Sequence, residues 1–238
     1  PKKERGWSWP WPREAYAEMV RYFSRAKASS LAFDMIYSEP SIYGKSDDEA
    51  FAKASEDFGK VVQTVYYENE ESSEGTYPIP LLKNSAAEIG SVSSSLDKSD
   101  RVARRNLLRT NAGNKELSLA LASLKTAGEE IGNSQIPSAK DGGMYIKYVD
   151  DLARFVPYSA KSILTSEAAL ENGSEKAAED FIPPEQFKDN FVFFALYAPG
   201  LFDVCATPVS STYPGVGVHA CQLNSILNGD YLQDIPVF

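Results

Sequence analysis

The sequence predicts an α/β fold: a single layered domain with a mixed, mostly parallel sheet flanked by helices. Three observations carry that expectation. Some segments repeat apolar residues at helical spacing, while others are short, continuous runs of β-branched and aromatic residues. Over the first third of the chain the two kinds alternate, helix–strand–helix–strand, as parallel strands joined by right-handed crossovers require. The 238 residues can bury a full hydrophobic core without staples, and no repeat or composition break marks a second domain.

The elements follow in order. In Trp7-Ser8-Trp9-Pro10-Trp11-Pro12-Arg13, the two prolines fix their own φ and push Trp9 and Trp11 out of the helical region, so this stretch is extended. In a β-like extension the three tryptophans share one face; in polyproline geometry they do not. Pro12 suits a first helical turn, and Tyr16, Met19, Val20 and Phe23 recur behind it at helical spacing. Ser29 to Tyr37 reads as a buried strand holding one carboxyl, Asp34, which is costly there unless bonded. Ser46-Asp47-Asp48-Glu49 has the form of a capping box for a helix that ends at Gly59. Lys60 to Tyr67 is a second strand, and Glu68 to Gly75 an acidic, solvated loop. Ile89 to Ser95 and Arg101 to Arg109 are weaker strand candidates, Glu116 to Thr126 is helical, and Gly142 to Val149 is a short strand. A short helix begins at Ser159 to Leu164, and Asn172 to Asp180 is a polar loop or helix end. Phe191 to Tyr197 is the most apolar strand and is expected in the centre of the sheet. A last helix runs from Pro214 to Asn228, ending near Gly229.

Composition narrows the function. With 43% hydrophobic and 24% charged residues the chain is an ordinary globular one, which excludes wholesale disorder. A net charge of −9 without a basic stripe argues against nucleic acid and against anionic membrane surfaces as partners. The longest apolar run, Phe191 to Ala198, has eight residues, against the roughly 20 needed to cross a bilayer. The opening Pro1-Lys2-Lys3-Glu4-Arg5 does not read as a signal peptide, so the sequence is a soluble protein or a soluble piece of something larger.

The chain has no P-loop, no dinucleotide glycine fingerprint and no nucleophile elbow. Ala198 to Asp203 follows the most apolar strand, where α/β folds bind ligands, and Asp203 is its chemical group. Asp203 is either a ligand or metal contact, or an aspartate that caps a turn or bonds loop amides. His219, the sole histidine, lies at the edge of the last helix's buried face. Arg104 shares a strand face with Val102 and is placed to turn inward toward Asp34 or a bound anion. Cys205 and Cys221 are either two reduced, buried thiols or a disulfide closing the Thr207–Ala220 segment, which needs an oxidising compartment. No metal or other cofactor is implied.

The order of motifs is more informative than any one of them. Trp9-Pro10-Trp11-Pro12-Arg13 is followed by Leu31 to Tyr37, Asp48 ahead of an alanine-rich helix, and Arg104. Leu201-Phe202-Asp203 with Ala206-Thr207-Pro208, Tyr213 to Ala220, and Ile226 to Gly229 complete the series. This order resembles the second type of CHASE domain, a sensory domain associated with cyclases and histidine kinases, over nearly the whole chain. The resemblance implies a non-enzymatic module on the outer side of the bacterial cytoplasmic membrane, tethered through flanking transmembrane helices. It implies an input to a cytoplasmic output domain, with an adenylate or guanylate cyclase favoured over a diguanylate cyclase or kinase. A homodimer responding to a small molecule or a protein is the expected form. Arg13, Asp34, Asp203, Thr207 and His219 fall on family motif positions and are expected to line or brace one crevice. There Arg13 would pair with one of the aspartates, while Thr207 and His219 hold the loop against the helix. Family members carry a first strand ahead of the Trp-Pro-Trp-Pro-Arg element, and a glycine where Arg101 follows Asp100. The alternatives are a periplasmic hydrolase using Asp203 and His219, and a free-standing solute-binding protein.

Overall fold

In the computed structural model, Pro12 (φ −60°) is the N-cap of helix α1 (Arg13–Ala26), which ends where Lys27 turns left-handed. The structure describes residues 7–68, 72, 74–110, 115–129, 136–138, 142–150, 152–174, 180–197 and 203–233. Trp11 stacks on Tyr16 (ring centroids 6.4 Å apart) and packs with Trp7 against the core, while Trp9 is 51% exposed. The three tryptophans therefore do not share one buried face.

Strand β1 (Ser30–Asp34), helix α2 (Lys45–Phe58) and strand β2 (Val61–Val65) form the expected parallel unit, with Leu31 opposite Val61. The capping box does not form. Helix α2 begins at Lys45 behind Gly44, without a side-chain cap. Asp47, read as part of that box, instead caps another helix. Its carboxylate accepts the backbone N–H groups of Arg13 (2.6 Å) and Glu14 (2.8 Å) at the start of α1. These are two of the four donors a helix start leaves unbonded.

Next come helix α3 (Pro80–Ser85), strand β3 (Glu88–Ser91), strand β4 (Arg105–Leu107) and strand β5 (Leu117–Ser118), which runs into helix α4 (Leu119–Ala127). Strand β6 (Gly143–Tyr145) and helix α5 (Ala160–Asn172) follow, then strands β7 (Phe191–Ala195), β8 (Val204–Thr207), β9 (Ser210–Pro214) and helix α6 (Gly215–Asn228). Helix α5, expected to be short, has 13 residues. The main sheet has the order β5-β3-β2-β1-β7, and every pair in it is parallel. The antiparallel pairs, β4 with β6 and β8 with β9, form separate two-stranded ribbons. The hairpin of β8 and β9 was not foreseen, because Thr207-Pro208-Val209-Ser210 lacks the glycine or asparagine that marks a tight hairpin turn.

Strand β7 lies at the edge of the described sheet, not in its centre. All five of its residues are half-buried. Its apolarity reflects the two helical layers covering its faces rather than its lateral place. Phe194 packs on the α1 side, while Phe191 and Phe193 join the opposite side. One layer joins α1, α2, α3 and α5 to the sheet through Tyr16, Phe51, Leu82 and Ile163 against Leu31 and Phe33. The other sets α4 and α6 on Ala32 and Val62 through Leu119, Leu121, Leu223 and Ile226. Each fully buried side chain of this size contributes about 1.5–3 kcal/mol.

The topology fixes where a crevice opens. From β1 the chain moves to β2, β3 and β5 on one side, and returns to place β7 on the other. The strand order therefore reverses between the carboxyl ends of β1 and β7, where parallel α/β sheets form ligand crevices.

Candidate functional site

Asp34 is the last residue of β1 and stands in register with Ala195, the last of β7. It sits at the switch point itself. Side chains alternate along a strand, so Asp34 shares a face with Ala32 and points toward the α4/α6 layer. Its Oδ2 is buried and has no hydrogen-bond partner among the described residues. Burial, and after it the negative charge of Asp203, push its pKa from 3.8 up to about 7.

Asp203 reaches the same place from just ahead of β8 and stays exposed at the rim. Its carbonyl accepts the N–H of Gly215 (2.9 Å), the first residue of α6. Its carboxylate lies against the same glycine: a Cβ at position 215 would stand 2.6 Å from Asp203 Cγ and closer still to the oxygens. Glycine is required by this contact, not by its backbone angles. The arrangement holds a negative charge at the positive end of a 14-residue helix. Partial burial raises the Asp203 pKa as well.

His219 lies one turn further along α6. Residues four apart share a helix face and lean toward the N-terminus, so His219 covers the turn on which the Asp203 carboxylate rests. It is 2% exposed, and its Nδ1 has no partner among the described residues. Burial pulls its pKa from 6.5 to about 4, which keeps the ring neutral. A histidine this enclosed is not presented to a substrate from solvent, which removes the acid–base partner that the hydrolase reading needs.

The other expected site residues are elsewhere. Arg13 pairs with neither Asp34 nor Asp203. Its Nε donates to Asp48 (3.3 Å), an Nη donates to the Glu39 carbonyl (3.2 Å), and the guanidinium lies 4.3 Å over the Tyr37 ring. Arg104 does not turn inward. It forms a bidentate pair with Asp100 (2.9 and 2.7 Å) and stays exposed, because Asp100 is four residues away on the same turn. Thr207 does not touch α6. Its hydroxyl donates to the Ser210 carbonyl and accepts the Ser210 N–H, both at 3.2 Å, closing its own hairpin. Cys205 and Cys221 are free thiols. Cys205 lies opposite Tyr213 in the β8–β9 ribbon, while Cys221 meets the Tyr213 hydroxyl at 3.2 Å, so one tyrosine engages both positions. The expected ligand loop at Ala198 to Phe202 lies outside the described residues.

Sequence reasoning missed two networks. Asp47 and Asp48 bind Arg13, Glu14 and Ser41 together, fixing the start of α1 to the start of α2. Glu116 accepts from the hydroxyls of Tyr67 (2.7 Å), Tyr77 and Thr110 (3.3 Å). Nothing local marks Glu116, since its tyrosine partners are 49 and 39 residues away. A groove of about 330 Å³ between α1 and α2 lies on the other side of the sheet. The cations lining it are already paired: Arg21 with Glu14, Arg25 with Glu167, Lys53 with Asp57. Among the described residues no three His, Cys, Asp or Glu side chains gather as metal ligands.

The family model of the CHASE2 domain matches residues 2–237, essentially the whole chain. The chain belongs to the CHASE2 family. CHASE2 domains are extracellular sensory modules rather than catalytic ones. No curated protein and no solved structure matches this CHASE2 domain. Among its described residues no helix is long and apolar enough to cross a membrane.

Proposed function

We propose that this CHASE2 domain is the extracytoplasmic input module of a bacterial transmembrane receptor. In this reading a stimulus enters the crevice between the carboxyl ends of β1 and β7 and shifts a homodimer between two arrangements. Flanking membrane helices pass that shift to a cytoplasmic output domain, an adenylate or guanylate cyclase first among the candidates. The observation that carries the reading is the Asp34–Asp203 pair. Two carboxyls act on each other at the switch point, no cation among the described residues acts on either, and a buried oxygen of one is unbonded among them. A fold braced for stability alone would satisfy such a group.

Native mass spectrometry of the purified domain tests the proposal. The expected result is a dimer carrying a co-purified mass that Asp203→Asn loses. A monomer at every concentration, empty and indifferent to added metabolites, would refute it.

A further inference from the structure

We infer that the groove between α1 and α2 binds a small monocarboxylate with an apolar body, its carboxylate on the guanidinium of Arg25 and its body on Phe58. The groove lies across the sheet from the crevice of Asp34 and Asp203, and the inference does not depend on what that crevice does.

The space has a local cause. Asp47 and Asp48 tie the starts of the two helices together. Further along, the facing side chains no longer fill the gap. Ala50, Ala54 and Phe58 recur every four residues and share one face of α2, opposite Arg21 and Arg25 of α1. Two alanines stand where larger apolar residues would close the contact, and they leave about 330 Å³. That is the low end of the size range for small-molecule sites. All of the lining residues belong to α1 or α2.

The sign of the charge follows from the wall. It carries Arg21, Arg25 and Lys53 against one acid, Asp57, in a chain of net charge −9. Each cation has an acid, but the pairing leaves donors over. Arg25 meets the buried Glu167 through Nε (3.1 Å), and its two Nη groups have no partner among the described residues. The Arg25 side chain is 49% exposed, so that end of the fork is open to a ligand. The Nη edge of a guanidinium presents parallel N–H donors that match the two oxygens of a carboxylate. Lys53 and Asp57 form an exposed pair one turn apart, which is worth little and is readily exchanged. Arg21 is more fully engaged, by Glu14 at 2.7 Å and Glu171 at 3.8 Å, and lends charge rather than hydrogen bonds. The last turns of both helices oppose an anion through their dipoles. That effect is screened at an exposed site, and Arg25 in the last turn of α1 offsets it.

The apolar body follows from the floor. Ala50 and Phe58 are half-buried and pack on the core of the α1–α2 layer, so an apolar group laid over them leaves water on both sides of the contact. A bare anion would gain only the charge, and a neutral apolar molecule only the floor.

Benzoate is the probe. Benzyl alcohol has a similar body without the charge, acetate the charge without the body, and benzylamine the opposite charge. At constant ionic strength, benzoate at about ten times its Kd should raise Tm by about 3–6 °C. At the same concentration acetate and benzyl alcohol should act more weakly, and benzylamine not at all. Arg25→Lys keeps a positive charge beside Glu167 but loses the fork, and should weaken benzoate binding about tenfold or more in calorimetry. Ala50→Leu breaks no ion pair and fills the groove. It should fold and lose the response, and saturation transfer from the protein to the benzoate ring protons should vanish with it. Shifts from acetate or benzylamine equal to that from benzoate, an unchanged response in either variant, or no shift with benzoate would overturn the inference.

Discussion

Replacing Asp34 by asparagine should make the domain more stable in neutral solution and less stable in acid. The folded protein holds the Asp34 proton up to about pH 7, whereas the free carboxyl releases it near 3.8. Above pH 7 both folded and unfolded states are ionised, and the fold carries a buried, unpaired charge. Below about pH 4 both are protonated and the burden is gone. The stability owed to residue 34 therefore falls as pH rises from about 4 to about 7, by about 4 kcal/mol. Asparagine does not titrate, but its buried amide costs about 1–3 kcal/mol if unbonded. Asp34→Asn should thus gain about 1–3 kcal/mol at pH 8 and lose a similar amount at pH 4. Urea unfolding at pH 4, 6 and 8, followed by tryptophan fluorescence, measures the difference. His219 contributes the opposite slope. Its folded pKa of about 4 lies below 6.5, so acid removes about 3 kcal/mol between pH 6.5 and 4. The two slopes oppose each other in the wild type, and Asp34→Asn should leave the His219 slope without its counterweight at residue 34. A difference between variant and wild type that does not change with pH would refute the reasoning, because it would mean that Asp34 has a compensating partner.

Three further outcomes follow from contacts. Asp47→Ala removes the acceptor for two backbone N–H groups at the start of α1 and should cost about 2–3 kcal/mol in urea unfolding, with Asp47→Asn retaining part of the loss. Gly215→Ala forces a Cβ into the Asp203 carboxylate and should cost about 1–3 kcal/mol; adding Asp203→Ala should recover most of it, read as coupling in a double-mutant cycle. Burial raises the pKa of Cys205 to about 11 and that of Cys221 above its usual value, so an aromatic disulfide reagent at pH 8 should label the native protein slowly and both thiols rapidly in urea; fast native labelling would contradict the packing around Tyr213.

What the amino-acid order determined alone is local. The stripe of Tyr16, Met19, Val20 and Phe23 specified α1 because a helix repeats its environment every 3.6 residues. The runs through Phe33 and Val62 specified β1 and β2 because strands covered by helices on both faces are apolar throughout. The order of motifs, from Trp-Pro-Trp-Pro-Arg to the Pro-Gly start of α6, sufficed to place the chain in its family. Tertiary structure decided everything that depends on which distant groups meet. Ser46 to Glu49 held the composition of a cap, but only packing of α2 against α1 could give Asp47 the donors of another helix. Phe191 to Ala195 announced covered faces and said nothing of neighbours, since lateral place in a sheet is set by hydrogen bonds that every backbone carries alike. Arg13 and Arg104 were drawn to the acids within reach, Asp48 and Asp100, because a charge is satisfied by whatever partner the fold brings closest. Asp34 and Asp203 meet only because the strand order reverses between β1 and β7, and no property of either residue's own segment encodes that reversal.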